Sequence, residues 1–460
     1  MRNKIFSIFS PALLMAFIMS CSFAFGQNST SKKMENNKTN RHVAWSLHAN
    51  IYEVNIRQYT PAGTFKAFQQ HLGRLQKMGV NILWLMPINP IGKKNRKGSL
   101  GSYYAVQNYE AVNPNFGTLD DLKSLVKEAH AKGMHVILDW VANHTSWDNV
   151  WVKEHPDWYK KDKNGNFVSP YDWTDVISLN YNNKDLRKAM INAMIYWVKD
   201  VNVDGFRCDV AGMVPVDFWN EARTALDNVK PVFMLAEDED SVALVKYAFD
   251  MNYAWKMLHL MNDIAKGEKK ASDIWTYLKW NDETFSPDVY RMYFTSNHDE
   301  NSWNGTALER LGDAFKVFTV FDYTIPGMPL TYSGQEAGNN KRLRFFEKDT
   351  INWDKLPYAP FYTKLNQLKK TNPVLENGKE GGKLIPLSKG VDDNIFAFYR
   401  EKQGKQLVVI LNLSNQPHDF IVHNAHIKGK YHNIFDNRDI DIHNSRTFKL
   451  PAWGYVVLEK

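Results

Sequence analysis

The stretch TLDDLKSLVKEAHAKGMHVILDW (residues 118–140) joins a helical pattern directly to a strand pattern, and this order decides the fold. Its leucines and Val126 recur at helical spacing, and Gly133 is suited to end the helix. The apolar run HVILDW (135–140) follows at once and predicts a buried strand. A helix that leads straight into such a strand is typical of the βα units that build parallel sheets.

The same alternation of apolar runs and amphipathic helices continues from about residue 45 to residue 370. The apolar runs are NILWLMP (81–87), HVILDW (135–140), DGFRCD (204–209), VFMLAE (232–237), RMYFTSNHD (291–299) and MPLTYSG (328–334). They recur at intervals of about 30 residues, with helical stretches such as residues 184–200 between them. About eight such units fit this length, which favours a closed (β/α)8 TIM barrel over an open α/β sheet.

Two parts of the chain depart from this pattern. The 70 residues from Asp139 to Asp209 are too many for one helix, so residues 146–180 are interpreted as a small insertion after the third strand. From about residue 375 short β runs and turns follow one another, which predicts an antiparallel domain. The resulting prediction is a catalytic barrel over residues 42–372 and a C-terminal β-sandwich domain over residues 373–460.

The N-terminus reads as an export signal over residues 1–26. Arg2 and Lys4 precede an apolar segment that is too short for a comfortable membrane span. Cleavage before Cys21 would give a lipoprotein, and cleavage before Gln27 would give a soluble protein. Residues 27–41 are then a flexible tether. We expect an exported protein, either periplasmic or an outer-membrane lipoprotein, whose only membrane contact is a lipid anchor at Cys21.

Composition excludes few functions by itself. The net charge is +7, but the basic residues are scattered, and the densest run (93–97) is interpreted as a solvated loop. With no nucleic-acid motif we expect no nucleic-acid partner, and nothing indicates more than a monomer. The 15 tryptophans are typical of a large core, and also of a cleft in which sugar rings stack.

Carboxylates end several of the apolar runs, namely Asp139, Asp209, Glu237 and Asp299. In a parallel barrel these positions lie at one mouth, where active sites are built. Converging like charges repel and raise at least one pKa, an arrangement that suits glycoside cleavage by two carboxyl groups. The acidic residues 238–240 beyond Glu237 are expected to form the exposed start of the next helix.

The chain resembles the α-amylase family of glycoside hydrolases (family 13) over about residues 45–460. The residues that carry the resemblance are DWVANH (139–144), GFRCDVAG (205–212), FMLAE (233–237) and FTSNHD (294–299), with flanking matches at 79–87 and 327–336. A single short block would be a weak signal. Four blocks in order on a barrel predicted independently are a strong one.

The resemblance implies a role for each matching residue. Asp209 would be the nucleophile, Glu237 the general acid and base, and Asp299 a ligand of the sugar hydroxyls. Arg207 would orient Asp209 and keep it ionised, and Asp139 would have a structural role, orienting either Arg207 or the loop. The remaining sugar-binding residues would be Tyr104, His144 and His298. The substrate would be an α-glucan or maltooligosaccharide, and at least one of Trp140, Trp147, Trp173 and Trp303 would line its cleft.

The sequence departs from the family pattern at Ala105 and Asn108, where Asp is common, and in DVISLN (175–180). Many members bind Ca²⁺ through an Asp at the position of Ser178 together with the Asn of the first block, here Asn143. Ser178 is a poor calcium ligand, and Asp172 or Asp175 would have to replace it. No cofactor is therefore assigned with certainty, and Ca²⁺ at Asn143 stays open.

Three functions fit these residues. The first is a retaining α-amylase that cleaves α-1,4-glucosidic bonds of starch, glycogen or maltodextrins. The second is a 4-α-glucanotransferase, or an exo-acting α-glucosidase or maltogenic enzyme, on the same substrates. The third, an inactive glucan-binding relative, would have lost its carboxylates, whereas this chain keeps them.

Overall fold

A computed structural model of the protein describes residues 42–460. The strands in chain order are β1 (Ile51–Val54), β2 (Ile82–Leu85), β3 (His135–Trp140), β4 (His144–Ser146), β5 (Val176–Ser178), β6 (Gly205–Cys208), β7 (Phe233–Ala236), β8 (Met251–Tyr253), β9 (Tyr290–Phe294), β10 (Met328–Tyr332), β11 (Lys383–Pro386), β12 (Ile395–Lys402), β13 (Lys405–Asn412), β14 (His418–Val422), β15 (Gly429–Asn433), β16 (Arg438–Ile442), β17 (Arg446–Leu450) and β18 (Tyr455–Glu459). The helices are α1 (Ile56–Tyr59), α2 (Phe65–Gln69), α3 (Leu72–Met78), α4 (Leu119–Ala131), α5 (Val150–Glu154), α6 (Lys184–Asp200), α7 (Val216–Asp227), α8 (Trp255–Lys266), α9 (Asp273–Thr284), α10 (Ala307–Leu311), α11 (Phe315–Thr324) and α12 (Ala359–Thr371).

Eight of these strands close into a parallel barrel in the order β1-β10-β9-β8-β7-β6-β3-β2. Closure is visible at β1, where Ile51 pairs with Leu330 of β10 on one side and with Ile82 of β2 on the other. The barrel prediction is therefore confirmed. Two of the eight strands, β1 and β8, lie outside the apolar runs quoted from the sequence, because each is short and has a polar residue, Glu53 or Asn252, at its centre.

The helices pack around the barrel because their apolar faces have helical spacing. In α4, Leu122, Leu125 and Val126 are buried, as their spacing predicts. The helix begins at a capping box in which the Thr118 side chain accepts from the Asp121 backbone and the Asp121 carboxylate accepts from that of Thr118.

A small antiparallel pair interrupts the barrel between β3 and β6. Strand β4 pairs with β5, with His144 opposite Ser178. The pair is buried on all six of its residues, so it forms a rigid wall above the third barrel strand.

The C-terminal part is antiparallel, as predicted. It contains a six-stranded sheet, β11-β12-β13-β18-β15-β16, and a separate pair, β14-β17. Phe420 and Phe448 of the pair share an apolar cluster with Val408 and Leu458 of the larger sheet. Buried Lys369 of α12 joins this part to the barrel, because its ammonium donates to the carbonyl of Gly327 at 2.8 Å and to Asn377 Oδ1 at 2.7 Å.

The predicted export signal (1–26), the tether (27–41) and Cys21 lie outside the described residues. Within residues 42–460, no helix combines the length and the apolar character that a membrane crossing requires.

Candidate active site

Three carboxylates lie at the C-terminal ends of barrel strands β6, β7 and β9. Asp209 follows β6 directly, Glu237 follows β7, and Asp299 lies beyond the end of β9 and starts a π-helical turn, a feature frequent at functional sites. All three line one cavity of about 430 Å³. The other lining residues are Lys97, Ser102, Tyr104, His144, Asp172, Trp173, Asp175, Val176, Val210, His298, Trp303, Phe345 and Phe346.

Arg207 is the cation around which these carboxylates gather. Its guanidinium is fully buried, and Nη1 donates to Asp139 at 2.8 Å and to Asp209 at 3.1 Å. Nη2 lies 2.9 Å from Glu237 Oε2 but is not aligned for a hydrogen bond with it. One guanidinium thus contacts three carboxylates, and Arg207 itself is not among the residues that line the cavity.

Asp139 fixes the other side of Arg207. Its Oδ2 accepts from the Trp84 indole and from the Tyr104 hydroxyl, both at 3.1 Å. The carboxylate is therefore bonded on both oxygens and faces the guanidinium in a single orientation. It does not line the cavity itself.

His298 lies between two acceptors. Nδ1 lies 2.6 Å from Glu53 Oε1, and Nε2 lies 2.7 Å from the Tyr104 hydroxyl and 3.3 Å from Asp299. When the Tyr104 hydroxyl donates to Asp139, its oxygen accepts from Nε2. This arrangement favours a proton on both ring nitrogens, which makes His298 an imidazolium.

The charges around His298 agree with this protonation state. Burial lowers its pKa, but Asp299 and Glu53 outweigh that effect and raise the pKa to about 9. Burial raises the pKa of Glu53, and the His298 charge opposes the rise. Glu53 lies inside the apolar strand β1, and sequence reasoning missed it. The available signal was a carboxylate in the middle of a buried run.

The pKa of His144 is shifted in the opposite direction from that of His298. It is buried on the wall formed by β4, and burial lowers its pKa to about 3. Its ring contacts the Asn143 amide at 3.1 Å. The cavity is therefore lined by one neutral and one cationic imidazole, which differ in the hydrogen bonds that they can make.

The carboxyl groups cannot all be ionised together. Burial, followed by repulsion from Glu237, raises the pKa of Asp209 well above its usual range, although Arg207 opposes the rise. Burial likewise raises the pKa of Asp139 and of Asp299. Five carboxyls, including Glu53, face two cations, so the cluster must hold at least one proton among its members.

Val210 is a strained residue beside this cluster. Its backbone is left-handed, with φ 38° and ψ 48°, which is unfavourable for a β-branched side chain. The conformation directs the Val210 amide at Glu237 Oε2, to which it donates at 2.8 Å. The strained backbone of Val210 thus positions the Glu237 carboxylate. The other carboxylate oxygen, Oε1, accepts no hydrogen bond from residues 42–460.

Aromatic side chains form the outer walls. Trp303, on the π-helical turn, is 53% exposed and packs on Phe345, and the Phe345 ring in turn is stacked on Tyr104. Trp173 stands on the opposite wall beside His144. Of the four tryptophans expected near the mouth, Trp173 and Trp303 line the cavity. Trp140 is buried beneath it, and Trp147 is not among the lining residues.

One expectation about charged runs was wrong and one was incomplete. The run 93–97 lies in a loop with residues 93–95 exposed, as expected, but its last residue, Lys97, also lines the cavity and lies 3.2 Å from Asp175 of the insertion. Glu239 was assigned to an exposed helix start, but it is buried and pairs with Arg291 at 2.8 Å. The two partner residues are remote in sequence, so composition alone gave no sign of either pair.

The two carboxylates that could replace the missing calcium ligand both lie on the cavity wall. Asp175, one of the two possible replacements for the missing ligand, faces the Lys97 ammonium, and Asp172 is exposed and lines the cavity. Over residues 42–460, one group of three His, Cys, Asp or Glu side chains converges closely enough to hold a metal ion, and it includes neither Asp172 nor Asp175. Ca²⁺ also binds through amide and backbone carbonyl oxygens, so a calcium site at Asn143 stays a prediction.

Two family models match the chain. The model described as "Alpha amylase, catalytic domain" matches residues 17–176 and 154–373. The model described as "Alpha amylase, C-terminal all-beta domain" matches residues 388–459.

Solved structures and curated relatives agree with these matches. The crystal structure of an α-amylase from Lactobacillus plantarum has 31% sequence identity to this chain and superimposes with a TM-score of 0.81. The match covers 90% of this chain and 99% of that chain. A maltogenic α-amylase, AmyB, from Thermotoga neapolitana is 30% identical with a TM-score of 0.82 and the same coverage. Alpha-amylase 2 of Dictyoglomus thermophilum is 26% identical over 413 residues, which are 84% of this chain and 69% of that relative.

Proposed function

Because the chain belongs to the α-amylase family of glycoside hydrolases, we propose that it is a retaining α-amylase that hydrolyses α-1,4-glucosidic bonds of starch, glycogen or maltodextrins. The observation that carries this proposal is the cavity in which Asp209, Glu237 and Asp299 meet around Arg207. Two carboxyl groups of different protonation state are what the reaction needs.

In the proposed reaction Asp209 attacks the anomeric carbon, and Glu237 gives a proton to the departing glucosidic oxygen. A covalent glycosyl–enzyme intermediate results. Water then attacks the intermediate while Glu237 takes its proton back, so the α configuration is retained. The contact from Arg207 favours an ionised Asp209, because it opposes the rise in pKa that burial and Glu237 cause.

The sugar in the cavity would be held by groups of complementary charge. We assign Asp299 as an acceptor for sugar hydroxyls, with His298 Nε2 3.3 Å from its carboxylate. Neutral His144 can both donate and accept. The Tyr104 ring would support the apolar face of the same sugar.

A second function within the family is supported by the cavity wall. The Lys97–Asp175 contact joins the loop after β2 to the insertion, so the two walls meet on that side of the cavity. A cavity bounded in this way favours chain ends and short products. An exo-acting or maltogenic enzyme, or a 4-α-glucanotransferase on the same substrates, is therefore the alternative, and the Thermotoga neapolitana relative is named as maltogenic.

The deciding experiment incubates the protein with maltoheptaose and with soluble starch, and follows the products and the anomeric configuration of new ends by NMR. Internal cleavage to α-configured maltooligosaccharides supports the α-amylase. Maltose alone from the first time points supports the maltogenic alternative, and products longer than maltoheptaose support the transferase. Loss of all activity in Asp209→Asn is the control, and β-configured products would contradict the proposed mechanism.

Two further properties are proposed from the sequence. The protein acts after export as a monomer, periplasmic or anchored to the outer membrane, and mass spectrometry of the mature N-terminus distinguishes a lipidated Cys21 from a free Gln27. Light scattering of the mature protein measures its oligomeric state.

A further inference from the structure

The opposite end of the barrel carries a cluster that the proposed reaction does not use. His130 lies in the last turn of α4, His135 is the first residue of β3, and Asp204 precedes β6. One ligand atom from each lies within 4.8 Å of the others. The N-terminal ends of barrel strands face away from the catalytic mouth.

From this geometry we propose that His130, His135 and Asp204 form a binding site for a divalent transition-metal ion, with Zn²⁺ as the best fit. Two imidazoles and one carboxylate are the donor types that Zn²⁺ prefers, and three protein ligands leave the fourth tetrahedral position to water. Hard cations such as Ca²⁺ and Mg²⁺ are not suited by imidazole nitrogen.

The unused nitrogen of His135 is the observation that points to an ion. Its Nδ1 is buried and has no hydrogen-bond partner, and it lies 3.6 Å from Asp204 Oδ2. That distance is too long for a hydrogen bond but close to the separation of about 3.4 Å between two ligands of a tetrahedral Zn²⁺.

His130 supplies the third ligand. Its Nε2 lies 2.7 Å from the same oxygen of Asp204, a hydrogen bond that a metal would replace. Metal binding must displace the proton of this bond, so affinity is expected to fall at acidic pH. Both imidazoles are about a quarter exposed, so an ion can reach the site from solvent.

The surroundings hold the ligands in place. The Trp45 ring is stacked on His135 at 3.9 Å, and the Val136 amide donates to Asp204 Oδ2 at 2.8 Å. Lys230 binds the other carboxylate oxygen at 3.2 Å, which orients Asp204 but repels a cation. The open coordination and this repulsion indicate an affinity in about the micromolar range, weaker than closed four-ligand sites.

The site would clamp the strands that carry the catalytic residues. Strands β3 and β6 are neighbours in the barrel, and Ile137 pairs with Gly205 directly beyond the two ligands His135 and Asp204. The ion therefore stabilises the barrel from its N-terminal face and leaves the chemistry at the mouth unchanged.

The test uses tag-free, chelator-treated full-length protein. Co²⁺ is titrated and followed by its visible absorption, and Zn²⁺ is titrated by calorimetry. The expected result is one equivalent of metal, an intense tetrahedral Co²⁺ spectrum, and a melting temperature raised by about 3 °C at a Zn²⁺ concentration of a hundred times Kd. Cleavage of maltoheptaose should not change.

Matched variants make the outcome decisive. His130→Gln and His135→Phe, which keeps a ring to stack on Trp45, should each weaken binding at least about tenfold and reduce the thermal shift at the same Zn²⁺ concentration to about half or less. His426→Gln, an exposed histidine of the C-terminal sheet region, should bind like the wild type. Circular dichroism of the metal-free variants checks their folding. Equal titration curves for the wild type and both cluster variants, or no binding at all, would overturn the proposal.

Discussion

Replacing Glu53 by Gln should move the alkaline limit of activity. The substitution keeps the shape of the side chain and removes the charge that lies 2.6 Å from His298 Nδ1. Without that charge, Asp299 alone opposes burial and Arg207, and we expect the pKa of His298 to fall from about 9 to about 6.5 or below. The imidazolium would then be lost within the neutral range.

The size of the effect follows from the two titration curves. At pH 8 a group with a pKa of about 9 is about 90% protonated, whereas a group with a pKa of about 6.5 is about 3% protonated. If only the imidazolium form supports catalysis, kcat/KM at pH 8 falls about thirtyfold, while at pH 6 it changes less than about twofold. A purely structural loss would lower the activity at both pH values.

The assay is the pH profile of kcat/KM on a maltooligosaccharide, measured for the wild type, Glu53→Gln and His298→Asn. His298→Asn lacks the titrating group, so its kcat/KM should be low at every pH and should not fall further on the alkaline side. The same pKa has a consequence for stability. The pKa of His298 is raised in the folded state, so protonation of this residue stabilises the fold. That stabilisation is complete below about pH 6.5 and disappears as the pH rises to about 9. An unchanged alkaline limb in Glu53→Gln would refute the role given to Glu53.

Three other perturbations follow from the site. Arg207→Lys should lower kcat by at least about a hundredfold, because one ammonium cannot reach Asp139, Asp209 and Glu237 together, and circular dichroism would show whether the fold survives. A calcium-selective chelator should leave starch hydrolysis unchanged, since the Asp175 carboxylate is paired with the Lys97 ammonium, and a loss that added Ca²⁺ restores would show otherwise. Val210→Gly should raise the free energy of unfolding by about 1 kcal/mol in a denaturant titration, because glycine adopts the left-handed backbone without strain, and a decrease would contradict the strain assigned there.

The parts of the site that the sequence predicts are those with a local signal. Asp209 and Glu237 each end an apolar strand, and parallel topology alone brings such strand ends to one mouth. The contact between Asp209 and Arg207 needed no further information, because residues two apart in a strand lie on the same side of it.

The parts that sequence reasoning missed depend on partners far along the chain. Glu53 pairs with His298 across 245 positions, and no local pattern marks a carboxylate that is stabilised by so remote a cation. Lys97 and Glu239 were assigned to solvent because they belong to charged runs. In the fold one charge of each run turns inward to a partner, which hydrophobic periodicity cannot show.

The barrel cannot close until most of the chain has been synthesised. Strand β1 is paired on one side by β10, and Leu330, the partner of Ile51, leaves the ribosome 279 residues later. Until then one edge of β1 is unpaired, and unpaired strand edges of this kind can pair with other chains and cause aggregation. The slowest step of folding should therefore be the joining of the two ends of the barrel, and a chain that is truncated before β10 should aggregate rather than form a smaller sheet.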